Sequence, residues 1–163
     1  MWPFSKKIDL YGFRTDENGR PIFDFTVKER RVIDGYLSMF QGMAILEGYQ
    51  DRVRNLTIAR ALSEYATDQA YLASQESNKR GHKLLVNKAV SAAFKACNIY
   101  SHPILDYDLA CFSMMADRMD VAVQLFRKFL AEQPTFKADQ LDNKLIEGRD
   151  VDAAITHARE IVE

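Results

Sequence analysis

The 163-residue chain carries 47% apolar and 28% charged residues at a formal net charge of −1. That mixture suits one ordered domain over residues 1–163, with a core that needs neither metal nor disulfide, and it excludes a disordered chain. The balanced charge argues against nucleic acid, whose partners present a strongly basic face. No apolar run is long enough for a signal peptide or a spanning helix, so membrane contact is not expected and the cytoplasm is the expected location.

Residues 1–27 form an apolar segment. IDLYGFR and PIFDFTV are short, aromatic and partly alternating, and TDENGR lies between them. Asn18-Gly19 supplies the left-handed conformations of a tight two-strand turn, whereas Pro21 and the longer gap suit an irregular hook; both readings stay open. In either form Trp2, Phe4, Phe13, Phe23 and Phe25 are expected to wrap onto the helices that follow. Lys6 and Lys7 beside Trp2 are read as a solvated basic end.

Residues 28–75 read as two long helices. Thr26-Val-Lys-Glu29 has the form of a capping box, in which each end residue's side chain serves an orphan amide of the other. Ile33, Tyr36, Leu37, Phe40, Ala44 and Ile45 then recur at three- and four-residue steps, the mark of a buried stripe. Gly35 and Gly42 lie seven residues apart on nearly one face and predict a close helix approach there. A second helix is predicted from Gln50 to Gln75, with Leu56, Ala59, Leu62, Ala66, Ala70 and Ala73 on its buried side. Ser77-Asn78-Lys79-Arg80-Gly81 is expected to interrupt it.

From residue 83 to 162 the pattern alternates between short helices: 83–100, 105–116, 119–132, 137–147 and 150–162. Pro103 and Pro134 mark stops, because proline lacks the amide and its ring drives the preceding residue out of helical geometry. Cys97 and Cys111 sit in apolar helical stretches and are expected as reduced, core or near-core thiols.

Side chains that carry chemistry are sparse. His82, His102 and His157 share no zinc spacing, and capping or surface roles are expected for them. Glu64 and Asp68, one helical turn apart, share a face, and a solvated acidic surface is the plain reading. Phosphate loops, nucleophile elbows and dinucleotide fingerprints are missing from the sequence. No catalytic residue, metal ligand or cofactor is therefore expected, and the chain is read as a non-enzyme.

Ala89, Ala122 and Ala154 stand 33 and 32 residues apart, and Phe94, Phe126 and Ala158 follow at nearly the same interval. The clearest unit, Asp106 to Pro134, has Leu109-Ala110 on a first helix, a turn at Asp117-Arg118, Ala122 and Phe126 on a second helix, and a closing Pro134. This pattern resembles the tetratricopeptide repeat. Asp106 stands where that family usually has Trp, and Asp117 replaces its turn glycine. The resemblance implies an all-α fold of antiparallel helix pairs in a superhelix, whose first helices line a concave groove. On the clear unit it puts Tyr107, Cys111, Met114 and Met115 toward a protein or peptide partner. The function expected from it is an adaptor or chaperone-like protein-binding module. The alternative is a structural subunit of a homo- or hetero-oligomer, such as a homodimer, with the apolar N-terminal region and the Gly35/Gly42 face supplying the interface.

Overall fold

The computed structural model describes residues 14–15, 21–22, 25–40, 50–133 and 143–163. Two two-residue strands, β1 (Arg14–Thr15) and β2 (Pro21–Ile22), pair antiparallel, with Arg14 opposite Ile22 and Thr15 opposite Pro21. The rest of the 1–24 segment, and with it the choice between hairpin and hook, lies outside the described residues. Every other element is helical: α1 (Val27–Phe40), α2 (Gln50–Gln75), α3 (Lys79–Ile99), α4 (Pro103–Met115), α5 (Met119–Glu132), α6 (Asn143–Ile146) and α7 (Val151–Val162).

The capping box opens α1 as its spacing predicts. Thr26 N donates to Glu29 Oε1 at 2.9 Å and Glu29 N donates to Thr26 Oγ1 at 3.1 Å. The same Glu29 oxygen accepts from Lys95 Nζ of α3 at 2.7 Å, and the two side chains are only 2% and 3% exposed. One carboxylate thus ends a helix and docks it. Ile33 is buried, while Tyr36 and Leu37 pack half-buried against the core. Gly35 departs from expectation: it is exposed, and a methyl group added there meets no atom within 4 Å. No close helix approach explains it, and Gly42, Ala44 and Ile45 lie outside the described residues.

Every residue of the predicted α2 stripe, Leu56 through Ala73, is buried. α3 begins at Lys79 instead of 83, because the Asn78 side chain accepts from the amides of both Arg80 and Gly81 at 3.0 Å. The expected break is therefore confined to residues 76–78. α2 and α3 run antiparallel. His82 Nδ1, at the start of α3, lies 2.7 Å from the Ala73 carbonyl near the end of α2, and Arg52 Nε, at the start of α2, donates to the Tyr100 hydroxyl at 3.2 Å.

Pro103 ends nothing by itself. It occupies the first position of α4, where its missing amide has no intrahelical partner to lose, and His102 caps it by accepting from Ile104 N at 3.0 Å. α4 closes with Asp117 in the left-handed region at φ 58°, and the amides of Asp117 and Arg118 donate to the carbonyls of Met114 and Ser113 at 3.0 and 2.9 Å. That is the bond pattern of a glycine-type helix stop, here made by aspartate. α5 returns antiparallel, its Lys128 paired at 2.8 Å with Asp106 at the start of α4. Of the predicted 137–147 helix, α6 is the part within the described residues. Gly148, at φ 76°, turns the chain into α7, which Asp150 caps by accepting from Ala153 N at 2.9 Å.

α1 to α5 each pack chiefly on a neighbour in sequence, whereas α7 packs chiefly on α5 and the short α6 returns to α2. The seams are lined by small residues: Ala59, Ala61, Ala66, Ala89, Ala92, Ala110 and Ala122 are all 0% exposed. Alanine at such positions lets helix axes approach closely, and Phe94, Phe126, Phe129, Leu109 and Leu125 fill the remaining volume.

Candidate functional site

Three helices converge on a cleft of about 490 Å³. α2 contributes one wall through Arg60, Ser63, Glu64, Thr67 and Asp68, which follow one another at helical steps. α4 contributes Asp108 and Phe112, one turn apart. The opposite side is built by α6 and the turn after it, through Lys144, Leu145, Glu147 and Arg149. Phe112 and Leu145, each 7% exposed, form the apolar part of its lining.

Asp108 ties the three pieces together. Although only 6% exposed, it accepts from Ser63 Oγ at 3.1 Å and from Arg149 Nη1 at 3.0 Å, while Arg149 Nη2 holds its other oxygen. A two-pronged guanidinium contact fixes geometry as well as charge. Glycine at 148 gives the chain the left-handed turn that directly precedes this arginine. Arg60 Nε lies 3.6 Å from Glu64 Oε1 and its guanidinium sits 6.0 Å from the Tyr36 ring centroid. Burial, and after it the negative charge of Asp68, raise the Glu64 carboxyl above its usual range.

The Glu64/Asp68 face read from the sequence thus opens into the cleft, but no histidine lines it among the described residues. All three histidines have structural partners: His82 and His102 at helix ends, and His157 against Tyr107, whose hydroxyl is 2.8 Å from its Nδ1. The described residues contain no cluster of His, Cys, Asp or Glu able to hold a metal ion, and no described helix is long and apolar enough to cross a membrane.

Tyr107, Cys111, Met114 and Met115 do not line this cleft. They lie half-buried against the core on another face of α4. Tyr107 packs among Phe126, Phe129 and His157 with ring centroids 5.7, 5.2 and 5.9 Å away, which ties α4 to α5 and α7. Burial pushes the Cys111 thiol up to about 11 and that of Cys97 well above its ordinary value. Neither cysteine is in a disulfide. One residue along a helix is a rotation of about 100°, so adjacent residues of α4 serve different faces. Asp108 and Phe112 are the neighbours of Tyr107 and Cys111, and the only sequence signal for them was an acidic residue inside an apolar helix.

The chain matches no protein-family model, no curated protein and no solved structure.

Proposed function

We propose that the protein is a binding module for a peptide or protein partner, built as a tetratricopeptide-like stack in which α2/α3 and α4/α5 are packed helix pairs and α6 with α7 makes a partial third unit. In that arrangement α2, α4 and α6 are the first helices, and the observation that carries the reading is that these three line one cleft. Two further features support it. The equivalent positions Ala89, Ala122 and Ala154 are all buried, as are Phe94, Phe126 and Ala158. The turns inside the second and third units each use one left-handed residue, Asp117 and Gly148.

A photo-crosslinking side chain at Thr67 in the cleft, compared with one at exposed Glu160 on α7, tests this in native lysate. A distinct adduct at Thr67 that is missing at Glu160 supports the reading. Adducts of equal identity and yield at both positions refute it.

One observation favours the second reading, a structural subunit. Val27 and Met39 of α1 are 71% and 76% exposed, and Gly35 between them is exposed as well. Light scattering over a concentration series separates the two readings, because a stable oligomer that Met39→Lys dissociates assigns the working surface to α1 instead.

A further inference from the structure

The cleft is short of hydrogen-bond donors. Ser63 Oγ is committed to Asp108, and Thr67 Oγ1 donates to the Ser63 carbonyl at 3.0 Å. Both prongs of Arg149 are held by Asp108, and Arg60 is drawn to Glu64 and the Tyr36 ring. Among the described side chains that line the cleft, Lys144 alone remains a charged donor with no partner. The acceptors are the reverse case. Among the described residues Asp68 and Glu147 have no hydrogen bond or ion pair, and Glu64 has only the longer contact to Arg60. Glu64 and Asp68 stand one turn apart on α2, close enough that the charge of Asp68 adds to burial in disfavouring that of Glu64. The buried Phe112 and Leu145 offer apolar surface beside these carboxylates.

We infer that the cleft takes a lysine- or arginine-bearing segment of a partner protein, with the aliphatic stem over Phe112 and Leu145 and the cationic head between Glu64 and Asp68. Long basic side chains combine an apolar stem with a donor-only head. That is the complement of a lining with free carboxylates beside buried apolar groups. Asp108 already receives a guanidinium from the chain itself, so its charge is answered from within and the remaining attraction is exerted by the α2 wall. The inference rests on the cleft being the working surface, as proposed above.

The test uses the full chain, isotope-labelled for amide NMR, and two pools of degenerate nonapeptides, one with Lys or Arg at the centre and one with Glu. The basic pool is expected to shift the amides of Arg60–Asp68 and Asp108–Phe112. Its apparent affinity should fall with added salt and weaken about tenfold in Glu64→Gln/Asp68→Asn, which removes two partly exposed charges and leaves the core intact. Glu160→Gln, on the outer face of α7, should leave it unchanged. If the acidic pool shifts the same amides equally, or the double variant binds the basic pool as tightly as the parent, the charge assignment is overturned while the cleft stands as a docking surface. If neither pool moves a cleft amide, the docking reading falls with it.

Discussion

Lys95→Met is the substitution with the largest expected effect on stability. It removes the ammonium 2.7 Å from Glu29 Oε1 in a pair whose side chains are 3% and 2% exposed. The carboxylate left behind keeps the Thr26 amide at 2.9 Å as a donor but loses its counter-charge. Stripping one partner from a buried pair costs about 3–5 kcal/mol, a large share of the roughly 5–15 kcal/mol that holds a domain folded. Glu29→Gln on its own keeps the capping-box geometry, since glutamine serves that position as well as glutamate, and should cost less. With both substitutions no unpaired charge is buried. The double variant should therefore lie closer to the parent than Lys95→Met does, with a coupling of about 2–3 kcal/mol. Urea denaturation followed by helical circular dichroism measures all three. Costs below about 1 kcal/mol for Lys95→Met, or single effects that simply add, would refute the assignment of this pair as the tie between α1 and α3.

Asp117 at φ 58° bears the steric penalty of a left-handed residue, so Asp117→Gly should raise stability by up to about 1 kcal/mol, read as a higher midpoint in the same urea titration. Gly35→Ala should raise it by about 0.5–1 kcal/mol, because the added methyl meets nothing within 4 Å and alanine is the better helix former; a loss of stability would mean that this face is in use. Burial pushes the Cys111 thiol up to about 11, above the ordinary value of about 8.5. The folded state therefore holds that proton more tightly than the unfolded one. The resulting stability is complete below about pH 8.5 and is lost as pH rises toward 11, by about 3 kcal/mol. Denaturation midpoints across that range should fall, and Cys111→Ala should flatten the curve.

Local rules made much of this fold legible. The capping box, the α2 stripe and the extents of α2, α5 and α7 follow from periodicity and end signals, which act between residues a few positions apart. The errors share a cause. By composition Asn78 and Pro103 mark breaks, although an asparagine that accepts two amides and a proline at the first helical position are starts. The cleft was half visible: Glu64 and Asp68 share a face by spacing alone. Arg149 and Asp108 lie in different elements, and no local pattern couples a charge on one helix to a turn that follows another. Gly35 shows the converse limit, because composition marks a glycine without saying what stands opposite it.

The nearest-neighbour packing of these helices also bears on how the chain reaches its native state. The pairs α1/α2, α2/α3, α3/α4 and α4/α5 close short loops, which favours rapid folding, in the roughly microsecond to millisecond range typical of helical domains. The return of α6 to α2 and the ties of Lys95 to Glu29, His157 to Tyr107 and Arg149 to Asp108 join distant parts of the chain. They are the contacts that must wait for the others. The cleft, which needs α2, α4 and the α6 turn together, is accordingly expected to close only after the α2/α3 and α4/α5 pairs have formed.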